Sequence, residues 1–221
     1  ATGPILATMR IFLDTIDEAV LGELWPTGAF TGVTTNPLIL ARSKTTAEEA
    51  VERCRRLGVG QLFLQAASGD VETIVRDGRR LAALWRWDLW IKVPAFGEGF
   101  AAMAHLRDAR VRTAATAILT LGQALLAAET GADVLIPFVS RAASSGIDAE
   151  RLLADVCRVG RAAEARVLAA SVKDEDQLRL ALEAGCWGAT IPPELATSLF
   201  RPAVAEPVVV RFRDAGASHE E

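Results

Sequence analysis

The feature that most constrains this chain is a regular alternation. Short apolar runs, each five to seven residues long, are separated by amphipathic segments of helical period, and the pattern repeats eight times in 221 residues. The runs are Arg10 to Asp14, Thr31 to Asn36, Gln61 to Ala66, Leu89 to Pro94, Val111 to Thr116, Asp133 to Val139, Arg166 to Ser171 and Trp187 to Ile191. Between them the spacing predicts helices over Asp17 to Trp25, Thr46 to Leu57, Asp70 to Trp87, Gly97 to Ala109 and Leu119 to Thr130. A further helix follows Ile147, another spans Asp174 to Ala184, and a last one covers about Pro202 to Ala215. Asp17 stands as an N-cap, and Pro37 ends the second strand. Eight strand-helix units in one chain of this length point to a single-domain (β/α)8 TIM barrel with an extra C-terminal helix. A doubly wound open sheet is the alternative. It is disfavoured because no strand is followed by a Gly-x-Gly-x-x-Gly turn.

The expected organisation is a leader over residues 1–9, the barrel over 10–201, and a C-terminal helix with a polar tail over 202–221. Met9 is a candidate native start. With 51% hydrophobic residues, 24% charged residues and a mean hydropathy of +0.24, the chain can bury one sizeable core. The net charge of −4 and the scattered basic residues exclude a nucleic-acid footprint. The longest charge-free stretch, Thr113 to Ala128, is too short and too polar for a membrane span. Three separated cysteines (Cys54, Cys157, Cys186) and two histidines support neither a disulfide framework nor a zinc site, so no metal and no cofactor is expected and the location is read as cytoplasmic.

Within Leu89 to Pro94 stands a single Lys92, in a run that otherwise reads as a buried strand. A buried ammonium is costly, and burial drives lysine toward the neutral amine that attacks carbonyl carbon. Pairing to a carboxylate, or snorkelling from a strand end, would account for it equally well. The surroundings decide. In a barrel the functional end is the C-terminal end of the strands, and there the sequence places Asp14, Thr34, Thr35, Asn36, Gln65, Lys92, Thr116, Arg141 and Ser171, drawn from seven strands. Each has a plainer reading, as a cap, a turn residue or an ordinary strand residue. Their convergence on one lysine does not.

Five segments carry a resemblance to a known family: Leu-Asp-Thr at 13–15, Gly-Val-Thr-Thr-Asn-Pro at 32–37, Ile-Lys-Val-Pro at 91–94, Pro-Phe-Val-Ser-Arg at 137–141 and Ala-Ala-Ser-Val-Lys at 169–173. Together they resemble the small transaldolase and fructose-6-phosphate aldolase family, cofactor-free class I aldolases on a (β/α)8 barrel. The resemblance implies that Lys92 forms a Schiff base with the C2 carbonyl of a ketose phosphate, with Asp14 as general acid and base. It further implies that Asn36 and Thr34 line the substrate, that Gln65 and Thr116 hold a water, and that Arg141 and Ser171 bind the sugar phosphate, with Lys173 adding charge. Phe138 stands where the aldolases of the family carry a tyrosine and transaldolases a phenylalanine, whereas Gln65 follows the aldolase pattern. Ile136 replaces a serine of the larger transaldolases, and Ala142 and Ala143 replace a more polar pair, which leaves acceptor preference open.

The reading is a transaldolase of the pentose phosphate pathway, with a fructose-6-phosphate aldolase and a non-catalytic sugar-phosphate-binding barrel as alternatives. Its partners would be phosphorylated ketoses and aldoses. Homo-oligomerisation is expected through the apolar face of the C-terminal helix, which carries Val204, Val208, Val209 and Phe212. Trp85, Trp87 and Trp90, crowded ahead of Lys92, are read as packing residues.

Overall fold

The computed structural model describes residues 9–85 and 88–217. Eight parallel strands close into a barrel in sequence order: β1 (Arg10–Leu13), β2 (Gly32–Thr34), β3 (Gln61–Gln65), β4 (Asp88–Pro94), β5 (Thr113–Ile118), β6 (Val134–Pro137), β7 (Arg166–Ala169) and β8 (Gly188–Ile191), the last pairing back to β1. Helices follow the strands: α1 (Glu18–Leu24), α2 (Pro37–Arg42), α3 (Ala47–Arg56), α4 (Val71–Ala83), α5 (Glu98–Asp108), α6 (Leu121–Glu129), α7 (Val139–Ser144), α8 (Ala149–Ala162), α9 (Glu175–Ala184), α10 (Pro193–Phe200) and α11 (Glu206–Ala217). The fold is the (β/α)8 barrel with a C-terminal helix that the alternation predicts. The expected leader before Met9, the tail after residue 217 and Trp87 lie outside the described residues.

Strand periodicity sorts the side chains into two cores. In β4, Trp90 points into the barrel while Ile91 and Val93 point outward to the helices, so period two carries Lys92 inward as well. The interior is plugged by Phe12, Phe63, Trp90, Ala114, Ile136 and Leu168 with their neighbours. Phe63 stacks on Trp90 at 4.8 Å between ring centroids, and Phe12 meets Phe63 edge-on at 5.7 Å. Below the plug, Arg112 lies 4.6 Å over the Trp90 ring and Arg166 lies 4.8 Å over Trp187. The aromatic layer therefore divides the barrel: Arg112, Asp133 and Arg166 gather at the N-terminal end, and a second set of polar side chains collects above the layer, at the C-terminal mouth, where active sites of this fold lie.

Several boundaries differ from the sequence reading, each for a local reason. Pro37 does more than stop β2: it opens α2 at the first helical position, where its missing N–H costs nothing, and Asn36 becomes the N-cap. The sixth strand ends at Pro137, and α7 begins at Val139. Arg141 and Phe138 thus leave the strand, one onto a helix and the other onto its N-cap. The fifth strand starts at Thr113 and runs to Ile118 through a bulge, with Ala117 at φ +61°. Ser171 lies past β7 at φ +56°, and the last helix starts at Glu206 rather than Pro202. The short helices α2, α7 and α10, of six to eight residues, are too brief for a 3.6-residue period to register. Among the described residues, no helix is long and apolar enough to cross a membrane.

Candidate active site

Lys92 is the centre of the mouth. It is only 5% exposed, and its Nζ donates a hydrogen bond of 2.8 Å to the Thr35 carbonyl oxygen. Burial pushes its pKa below the ordinary lysine value, and the nearby Asp14 carboxylate pulls the other way. Desolvation is the larger effect, so the site shifts Lys92 toward the neutral amine, whose lone pair is a nucleophile toward carbonyl carbon.

Around it the structure brings together most of the residues read from the sequence. Thr34 Oγ1 lies 2.6 Å from Asp14 Oδ1 and 2.6 Å from Thr190 Oγ1. A hydroxyl has one proton to give, and an ionised carboxylate can only accept. Thr34 therefore donates to Asp14, and Thr190 donates to Thr34. The result is a directed chain from β8 through β2 to β1, ending in a short charge-assisted bond that fixes the carboxylate. Thr190 was missed in the sequence reading, although β8 was the one strand to which no mouth residue had been assigned. Its signal was there: it is the inward polar residue of the Gly188–Ile191 strand. Thr34→Val keeps the shape and deletes the hinge of this chain; we expect kcat to fall about tenfold with little change in melting temperature, measured by steady-state kinetics and calorimetry.

Gln65 is half-buried at the end of β3, in register with Lys92. Thr116, on the neighbouring β5, has its Oγ1 buried with no hydrogen-bond partner among the described residues, which leaves it available to a substrate or a water. Asn36 caps α2: its Oδ1 accepts from the backbone N–H groups of Leu38 at 2.9 Å and Ile39 at 3.0 Å. That engagement commits the amide orientation and leaves Nδ2 as a donor with no partner among the described residues. Phe138 packs against the interior plug, so its packing role is real, and it forms the edge of the mouth beside Ala170.

The charged residues divide. A cavity of about 490 Å³ opens at the mouth, lined among others by Asp14, Asn36, Arg42, Lys173 and Glu194. Lys173 joins it, and so does Arg42, a cation that the sequence reading passed over because α2 was not recognised. Arg141 and Ser171 are absent from that lining. They lie on the adjoining rim, where the Ser140 N–H donates to the Ser171 carbonyl at 3.0 Å and ties α7 to the loop after β7. Arg141 itself is exposed. Among the described residues, no group of three or more His, Cys, Asp or Glu could hold a metal ion.

A buried lysine over an aromatic plug, faced by a fixed carboxylate and with cations nearby, defines a class of protein: a (β/α)8 barrel built around a buried lysine. Comparison with known proteins narrows it. Residues 11–217 match the family model for "Transaldolase/Fructose-6-phosphate aldolase", and the chain belongs to that family. A protein of Phenylobacterium zucineum described as a "Probable transaldolase" is 32% identical over 206 residues, spanning 92% of this chain and 94% of its own length. One from Bacteroides fragilis with the same description is 35% identical over 191 residues, spanning 83% of this chain and 87% of its own. A third, from Caulobacter vibrioides, is 30% identical over 206 residues. The protein is thus an enzyme of the aldolase and transaldolase type.

Proposed function

We propose that this protein is a transaldolase, moving a dihydroxyacetone unit from sedoheptulose 7-phosphate or fructose 6-phosphate to an aldose phosphate. The observation that carries the reading is Lys92, buried and driven toward the neutral amine beside Asp14. Its Nζ attacks the C2 carbonyl carbon of the ketose. The carbinolamine loses water and leaves a protonated imine. Asp14 takes the proton of the C4 hydroxyl as the C3–C4 bond breaks, the bond's electron pair moves into the imine, and an aldehyde departs from a lysine-bound enamine. The enamine then attacks the aldehyde carbon of an acceptor, and hydrolysis frees Lys92.

Thr116 and Gln65 suit a water that relays protons during imine formation and release, and Asn36 Nδ2 suits a substrate hydroxyl. Arg141 with Ser171, and Lys173 from its place beside the mouth cavity, suit the phosphate. This activity would serve the pentose phosphate pathway in the cytoplasm. The apolar residues Val204, Val208, Val209 and Phe212 are exposed in and just before α11, which supports assembly of copies through that helix.

The test is release of glyceraldehyde 3-phosphate from fructose 6-phosphate, with and without erythrose 4-phosphate. Release only with the acceptor supports the transaldolase. Release without it makes the protein a fructose-6-phosphate aldolase, the reading that Gln65 favours, and silence in both leaves a non-catalytic barrel. Phe138→Tyr places a hydroxyl at the edge of the mouth, where it can hold water against the enamine. We expect acceptor-independent release to rise about tenfold while the acceptor-dependent rate falls, in the same coupled assay.

A further inference from the structure

Two buried sulfurs meet on the far side of the molecule. Cys157 lies on the inward face of α8, and Cys186 lies in the turn between α9 and β8; they are 29 positions apart, and their Sγ atoms are 3.6 Å from each other. Both are free thiols. The turn that presents Cys186 is well fixed: Gly185 ends α9 at φ +81°, and the Cys186 N–H donates to the Ala181 carbonyl at 3.0 Å. A disulfide holds its sulfurs at about 2.05 Å, so the pair has about 1.5 Å to close. We propose that Cys157 and Cys186 are an oxidisable dithiol that a peroxide converts to a disulfide, stapling α8 to the entrance of β8.

The chemistry is asymmetric. The Cys157 thiol is held below the ordinary cysteine value by its hydrogen bond with Cys186 and by the positive charge of Arg161, whereas the same hydrogen bond and burial push Cys186 up. Cys157 is the attacking sulfur. Its thiolate displaces hydroxide from the peroxide as the O–O bond breaks, becoming a sulfenic acid. Cys186 then gives up its proton and attacks that sulfur, and the S–O bond breaks with loss of water. Two thiols and one hydrogen peroxide yield one disulfide and two waters. Cys54 is the internal control. It is buried without a second sulfur beside it among the described residues, and burial pushes its thiol up to about 12.

The pair sits by the N-terminal end of β8, the end of the barrel opposite the Lys92 mouth, so the staple acts on stability and not on turnover. The test treats the reduced full-length protein with hydrogen peroxide, alkylates it in denaturant, and reads peptide masses and melting temperature. The expected result is a Cys157–Cys186 peptide 2 Da below the summed masses, dissolved by dithiothreitol, with Cys54 alkylated. The melting temperature should rise by about 5 °C, with activity kept within about twofold. Cys54→Ser should keep the rise, and Cys157→Ser and Cys186→Ser should each lose it. Recovery of both cysteines as alkylated thiols, or their oxidation to sulfinic acids with no cross-link, overturns the proposal. The wild-type peptide masses decide the matter even if a variant fails to fold. A cross-link with no rise in melting temperature would overturn the stapling role.

Discussion

Lys92→Met is expected to lower kcat/KM by at least a thousandfold, roughly the scale at which a covalent route is lost altogether, while far-ultraviolet circular dichroism stays that of the wild type. Methionine matches the length of the lysine stem and fills the space above Trp90, so nothing in the packing asks for the ammonium. The same substitution should raise stability, with a definite pH dependence. Lys92 has a folded-state pKa below its unfolded value, so between those two values the unfolded chain binds more protons than the folded one. The stability associated with the neutral amine is fully present above the unfolded value near 10.5 and is lost as pH falls through the lowered folded one. Lys92→Met has no such loss. Near neutral pH it should melt a few degrees above the wild type, corresponding to about 1–2 kcal/mol, and the gap should narrow as pH rises toward 10. Turnover has the opposite sign at its acid end: wild-type activity should fall as pH drops and the free amine is protonated. A Lys92→Met protein that kept wild-type activity would remove the imine mechanism. One whose stability gap was flat with pH would show that Lys92 is not desolvated as the geometry requires.

The fold was legible because its signal is long range and redundant. Eight units repeat one pattern, so an error of two residues at any boundary leaves the count intact. Lys92 was legible for a different reason: a single charge in an apolar run breaks the period-two rule, and such a break has few physical excuses. What the sequence hid was short or relational. Helices α2, α7 and α10 complete only about two turns, and with α2 unseen, nothing singled out Arg42, which lines the mouth cavity. Thr190 was hidden because a threonine in a strand is ordinary by propensity, and only the closure of β8 onto β1 turns it toward Thr34. The pairing of Cys157 with Cys186 was likewise out of reach, since a separation of 29 residues carries no motif. Arg141, read as a strand-end residue, stands on a helix because the chain turns immediately after Pro137.

Gly99→Ala is the substitution expected to damage the fold most for the fewest atoms added. Gly99 is in the first turn of α5, which folds back directly onto the end of the strand carrying Lys92. A Cβ built there would lie 2.0 Å from the Pro94 carbonyl oxygen and 3.4 Å from Val93 Cγ1. The obstructing atom belongs to the backbone, so no rotamer change relieves it. The turn between them has little slack: the Phe96 N–H is bonded to the Pro94 carbonyl at 2.8 Å, the Ala95 N–H to the Thr116 carbonyl at 2.8 Å, and Gly97 holds φ +52°. Relief must come from shifting α5 outward, which opens the packing of Met103 and Leu106 on the barrel, or from shifting the end of β4 itself. Either route should cost about 3 kcal/mol, a fall in melting temperature on the order of 6–10 °C for a chain of this size. The second route also moves Lys92, two residues upstream of Pro94, so activity should fall more than the loss of folded protein explains. Gly22→Ala provides the contrast. Gly22 is inside α1, and nothing lies within 4 Å of its added Cβ, so the gain in helix propensity should stabilise the protein by about 0.5–1 kcal/mol. Calorimetry of the two variants side by side reads the comparison directly: equal melting temperatures would mean that the close approach of α5 to Pro94 is not a fixed feature of the barrel, and that this contact does not set the position of the strand carrying Lys92.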